Sequence, residues 1–183
     1  VKKQVRKMKL TLKIGFCVAI IFAFASCMPE VKSETKRVFP EYHYALDSII
    51  KTNEGIVAGV ELGQNRKMIL SGQQKNAVDK DKDGLVYEQK IDSLTKYNIT
   101  YTFENDTISE MELMINCASR DEGDKILNDF KNFYGKKYTA PIMDKGYFVF
   151  NCFDSKKRNF TITITDNGGA SNSVIDILIY REK

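Results

Sequence analysis

Asn98-Ile99-Thr100-Tyr101-Thr102-Phe103-Glu104-Asn105-Asp106-Thr107-Ile108-Ser109-Glu110-Met111-Glu112-Leu113-Met114-Ile115-Asn116-Cys117 is the stretch whose reading decides the fold. Ile99, Tyr101 and Phe103 alternate with Thr100, Thr102 and Glu104. Met111, Leu113, Ile115 and Cys117 then alternate with Glu110, Glu112, Met114 and Asn116. Successive side chains of a strand point to opposite faces, so period two with one polar face predicts half-buried antiparallel strands at 98–104 and 108–117. Asn105-Asp106 supplies the turn between them.

The same period recurs downstream. Residues 147–153 place Phe148, Phe150 and Cys152 on one face. Residues 160–165 place Phe160, Ile162 and Ile164 against Thr161, Thr163 and Thr165. Residues 174–180 place Ile175, Ile177 and Ile179 together, after a turn at Asn167-Gly168-Gly169. Upstream, residues 85–91 read as a strand of mixed face.

Helical spacing marks three other segments. Tyr42, Ala45, Leu46, Ile49 and Ile50 recur as one helix face, opened by Pro40 and stopped by Gly55. A short helical piece runs through Met68, Ile69 and Leu70. The best-defined helix is predicted at 121–134. Ser119 and Glu122 form a capping box before it, and Ile126, Leu127, Phe130, Phe133 and Tyr134 form its apolar stripe. Gly135 stands as its C-terminal stop, and Lys136 and Lys137 complement its dipole.

Helix then three strands thus occurs at 64–117 and again at 121–181. The expected fold is α+β: two helix-plus-three-strand repeats forming a mostly antiparallel six-stranded sheet, with helices packed on one face. One such pair of layers buries a sufficient core in a single domain at 39–183.

The first 26 residues read differently. Lys2, Lys3, Arg6, Lys7, Lys9 and Lys13 precede an apolar run from Ile14 to Ala25, and Ala25-Ser26-Cys27 closes it. A basic start, a short apolar run and small residues at the cut define an export signal. The run is shorter than the ~20 apolar residues of a spanning helix. The cysteine at the cut resembles the lipobox of bacterial lipoproteins, which implies lipidation at Cys27 and a membrane anchor. Residues 27–38 are then the anchor and a flexible tether.

That cut changes the electrostatics. The whole chain holds 28 Lys+Arg against 24 Asp+Glu, net +4. The signal carries 6 of the basic residues and no acid, so the rest holds 22 against 24, net −2. A nucleic-acid binder needs a basic domain surface, and this domain lacks one. Cys117 and Cys152 are the two cysteines left to the domain. Outside the cytoplasm such a pair forms a disulfide or stays as two buried thiols, and both alternatives are open from sequence.

The phrases Gly59-Val60-Glu61-Leu62-Gly63, Phe133-Tyr134-Gly135 and Tyr101-Thr102-Phe103 resemble small secreted lipoproteins of the Bacteroidetes type. The helix-plus-three-strand repeat is similar to the β-lactamase-inhibitor-protein-like fold, also used by a small lipoprotein of the outer-membrane assembly machinery. PepSY-like domains are an alternative. The resemblance covers 40–183 and implies a non-enzymatic module that binds another protein. It carries no binding residues across.

Few residues suggest chemistry. Asp79-Lys80-Asp81-Lys82-Asp83-Gly84-Leu85 has the D-x-D-x-D-G form of a calcium loop, in which alternate carboxylates converge and the residue after Gly lends its carbonyl. The twelfth position, where a bidentate Glu belongs, is Lys90, and Glu88 stands two residues early, as in shortened extracellular loops. The expectation is either a weak calcium site on Asp79, Asp81, Asp83, Leu85 and Glu88, or a solvated charged turn. His43 is the only histidine, read as lying on a helix surface, and there is no Cys-x-x-Cys. Zinc sites and nucleophilic triads are therefore unexpected. Glu110 and Glu112 share the polar face of a strand. Lys156-Lys157-Arg158 reads as a hairpin turn and not as a phosphate site.

The expected function is a lipid-anchored, non-enzymatic binding or scaffolding module of the cell envelope, facing the periplasm or cell surface from the outer membrane. No cofactor is expected beyond weak calcium, and the partner is an envelope protein. Its binding surface is the open sheet face carrying Thr100, Thr102, Thr161, Thr163, Thr165, Tyr147 and Tyr180. The alternatives are a carboxylate-dependent envelope hydrolase and a calcium-stabilised extracellular module.

Overall fold

The 98–117 hairpin forms as read and organises everything around it. The computed structural model describes residues 37–71, 77–81 and 83–182. Strand β3 (Lys96–Glu104) pairs with β4 (Thr107–Cys117), and Tyr101 faces Met111. Asn105 and Asp106 turn the chain with φ of 52° and 58°, the left-handed pair that matches the twist of a two-residue hairpin. A register shift falls between Thr102 and Phe103.

Around this pair stand β1 (Asp79–Lys80), β2 (Gly84–Lys90), β5 (Ile142–Asp144), β6 (Tyr147–Phe153), β7 (Asn159–Asp166) and β8 (Ser173–Tyr180). All pair antiparallel in one sheet of eight strands, ordered β1-β2-β3-β4-β8-β7-β6-β5. The six expected strands are therefore joined by two edge strands. Two and three residues long, these carry too few side chains to show a period.

One face of the sheet is largely apolar. Tyr87, Ile99, Leu113, Ile177, Ile164 and Phe148 lie in register across six strands. Helices α1 (Tyr44–Ile50) and α3 (Arg120–Lys137) cover this face. Ile126, Phe130 and Tyr134 of α3 are fully buried with Phe150 and Ile162, and the Tyr134 and Phe150 rings lie 6.1 Å apart. From α1, Ala45, Leu46, Ile49 and Ile50 join the same core. Helix α2 (Arg66–Ser71) is short and buries Ile69.

Several expected boundaries move, each for a local reason. Helix α1 starts after His43 and not at Pro40. The His43 Nδ1 accepts the Ala45 N–H at 3.4 Å, so the only histidine caps the helix instead of lying on its surface. Its backbone N–H donates to Asp129 on α3 at 2.5 Å. The helix stops at Lys51, φ 61°, before the expected Gly55. Helix α3 runs through Gly135 to Lys137, so Gly135 is not its stop, and Leu127 of the expected stripe is only half-buried. Ser119 caps α3, accepting the Glu122 N–H at 3.3 Å. Glu122 does not complete the expected box, because its carboxylate accepts the Thr95 hydroxyl at 2.9 Å.

The compact unit that holds the described residues begins at Arg37. The Arg37 guanidinium binds Asp47 at 2.6 Å and the carbonyls of Phe39 and Tyr42. Phe39 is buried, with its ring 5.3 Å from Phe133. Arg37 and Val38, expected in the tether, thus belong to the domain. No helix among the described residues is long and apolar enough to cross a membrane.

Candidate functional site

Among the described residues no helix packs on the second face of the sheet. Strand register arranges it in rows. Thr102, Glu110, Tyr180 and Thr161 form one. Val86, Thr100, Glu112, Leu178, Thr163 and Val149 form the next. Glu88, Asn98, Met114, Asp176 and Thr165 form a third. Tyr147 lies at the end of β6 on the same side, 45 % exposed. All seven residues expected on this face are there, although Thr161 is itself buried at 6 % exposure.

Threonine does not dominate the face. Its centre is the β4–β8 pair, where Glu110, Glu112, Met114, Asp176 and Leu178 stand between the threonines of β3 and those of β7. That centre therefore combines three carboxylates with two apolar side chains. Burial, with Asp176 and Glu110 adding repulsion, raises the Glu112 carboxyl above the usual carboxylate range. Burial raises Asp176 likewise. The Asp176 Oδ1 and the Asn98 Oδ1 are buried without a hydrogen-bond partner among the described residues. Towards the β5–β6 edge the face turns apolar, and Ile142, Tyr147 and Phe153 are exposed there.

The calcium-like segment does not converge. Asp81 closes its own turn, accepting the N–H groups of Asp83 at 2.7 Å and Gly84 at 2.5 Å. From Gly84 the chain runs extended into β2. At about 3.3 Å per residue Glu88 lies roughly 13 Å along the strand from Gly84, where it pairs with Lys96 at 3.4 Å. Leu85 is fully buried and stands opposite Lys80 and Tyr101 in the ladder. The conformation therefore does not gather Asp81, Asp83, Leu85 and Glu88 around one point, and the Asp79 side chain lies outside the described ones.

Cys117 and Cys152 are free and buried. The disulfide alternative fails on register. Cys117 stands opposite Ser173 at the start of β8, whereas Cys152 stands opposite Phe160, beside the end of β8. About seven residues of strand at ~3.4 Å each separate the two ends, against the ~6 Å between Cα atoms that a disulfide spans. Burial pushes both thiols up to about 12.

Cys27 and the whole export signal at 1–26 lie outside the described residues. No known protein family, characterised protein or solved structure matches the chain.

Sequence reading placed Tyr180 on the open face but missed Val174, Asp176 and Leu178, which show their role only once β8 is known to pair with β4. It also missed a cleft at one end of that face. Thr102, Glu110 and Tyr180 border it, together with Arg158 and Arg181.

Proposed function

We propose that the chain is an exported lipoprotein, lipidated at Cys27 and facing the periplasm or cell surface, that acts as a non-enzymatic binding module. The observation that carries this reading is the β4–β8 centre of the sheet, which no helix among the described residues covers. Half-buried carboxylates at Glu112 and Asp176 sit there among Met114, Leu178 and Val149. Leaving such a surface open costs stability, since each ionised carboxylate is partly desolvated without a cation. A protein partner that presents Lys or Arg amid apolar side chains offsets that cost on docking.

The chain joins the domain through Arg37 and Phe39, packed beside Phe133 on the helix side of the sheet. The proposed docking face is on the other side. We read the sheet as two halves, β2–β4 and β6–β8, each an antiparallel meander preceded by a helix and meeting through β4 and β8. This is the arrangement the repeat pattern implies. The proposed location is the outer membrane.

Two experiments test the reading. Labelling with a lipid precursor should mark the wild-type chain and leave Cys27→Ser unmarked. Affinity capture from cell envelopes should recover a protein with the wild type that is lost from Glu112→Lys/Leu178→Glu. An unchanged set of captured proteins would remove the open face from the account.

A further inference from the structure

The cleft at the end of the sheet encloses about 590 Å³ between the Gly63 loop, the β3–β4 turn and the end of β8. That is within the range of small-ligand pockets, ~300–1,000 Å³. Two guanidinium groups meet there over a single carboxylate. Asp154, whose side chain is 5 % exposed, accepts Arg158 Nε at 2.7 Å and Arg181 Nη2 at 2.7 Å on the same oxygen. Its other oxygen takes the backbone N–H groups of Lys156 at 2.8 Å and Arg158 at 2.9 Å. The carboxylate is fully engaged, and one of the two positive charges has no counterion from it.

Gly63 has φ 85°, and Arg181 Nη1, Arg158 Nη2 and Arg158 Nη1 cluster beside it, 3.4, 3.6 and 3.7 Å from where a Cβ on Gly63 would stand. Among the described residues none of these three groups has an acceptor. The Arg181 Nε–H is also buried without one, while its Nη2 holds the Leu62 carbonyl at 3.2 Å. The guanidinium fork matches a carboxylate, which accepts two parallel N–H bonds. Glu104, Glu110 and Glu182 line the rest of the cleft. Their charges repel a doubly charged anion more strongly than a singly charged one.

We propose that this cleft binds a singly charged carboxylate, seated on the Nη groups of Arg158 and Arg181 beside Gly63. Such a group comes from the C-terminus of a peptide or from an acidic sugar. The basic turn at Lys156-Lys157-Arg158 then supplies a ligand-binding side chain as well as a hairpin connection. The cleft belongs to the folded domain whether or not Cys27 carries lipid, so its test stands apart from the envelope reading.

The test is titration calorimetry of the full chain at low ionic strength. The probes are N-acetyl-alanyl-alanine, its C-terminal amide, glucuronic acid and inorganic phosphate. Saturable heat is expected with the dipeptide acid or the uronic acid, whichever is the source, and none with the amide. Arg158→Gln and Arg158→Lys should each weaken that binding by about tenfold or more, the equivalent of one charge-assisted hydrogen bond. The Lys variant keeps the charge and guards against a folding defect in the first. Three results would each overturn the proposal. One is no saturable heat with either carboxylate up to about 50 mM, beyond the millimolar range expected of one forked pair. Another is equal binding of acid and amide, or of phosphate and acid. The last is unchanged affinity in a folded Arg158 variant.

Discussion

Gly123 of α3 rests directly on Ser173, the first residue of β8. A Cβ at position 123 would lie 2.1 Å from the Ser173 Cβ and 2.2 Å from its Oγ. The helix therefore lies on the sheet at its N-terminal end with no room for a side chain. Ser173 cannot swing aside freely, because its hydroxyl donates to Asp166 at 2.7 Å.

Gly123→Ala should therefore destabilise the domain, although Ala gains up to ~1 kcal/mol over Gly in helix propensity. Overpacking of this kind costs about 1–3 kcal/mol. Ser173→Gly should recover part of the loss, and a double-mutant cycle by urea denaturation measures the coupling. Additive single effects would contradict the contact.

The two domain thiols should behave as core side chains. With both pushed up to about 12, almost no thiolate exists at pH 8, and a thiol reagent should modify them only on unfolding. Reductant should leave the thermal midpoint unchanged. A reductant-sensitive midpoint, or a mass two hydrogens light, would show a Cys117–Cys152 bond and a different strand register.

Glu112 and Asp166 should give opposite pH dependences. The raised Glu112 carboxyl holds its proton more tightly in the folded state. Its effect is to increase stability as pH falls from neutral towards the ordinary carboxylate range near 4. At Asp166, burial alone would raise the carboxyl, but the Ser173 hydroxyl, the Gly168 and Val174 N–H groups and the Arg120 charge together hold it low. Its contribution is present above the ordinary value and is lost as pH falls through the lowered one. Glu112→Gln should thus stabilise at pH 7 by up to about 0.5 kcal/mol, and the difference should vanish below about pH 4. Asp166→Asn should destabilise at pH 7, with a difference that shrinks in acid. Thermal midpoints across pH check both, and pH-independent differences would contradict the assigned environments.

Asp154 holds Arg158 and Arg181 together. Asp154→Ala should lower stability by about 1–3 kcal/mol, the scale of hydrogen bonds to charged groups. It should also release the 154–158 turn, where Lys157 holds φ 60°. Faster amide exchange at Lys156 and Arg158 is the expected sign, and unchanged exchange would show that the turn holds without its carboxylate.

These relationships differ in how far the chain announces them. Alternation at 98–117 and the capping serine at 119 are local signals, so the strands, the turn and the start of α3 were legible. The opening of α1 was not, because Pro40 alone suits a helix entrance in the local sequence, whereas the start after His43 goes with a tertiary bond from His43 to Asp129. Gly135 resembled a helix stop, yet nothing within 4 Å requires its conformation and α3 continues past it. The threonines of the open face were legible from alternation. The acidic centre at Glu112 and Asp176 depended on β8 pairing with β4, a long-range register that no local period reveals. Arg158 and Arg181 meet because β7 pairs with β8, which sets the start of β7 beside the end of β8.

Photo-crosslinking tests the proposed function most directly. A benzophenone amino acid placed at Thr163 or Leu178 reports from the open face, and one at Asn128 on α3 reports from the helix side. In intact cells the account predicts one shared adduct with an envelope protein from both face positions and none from Asn128. Adducts from Asn128 alone, or none from either face position, would contradict it.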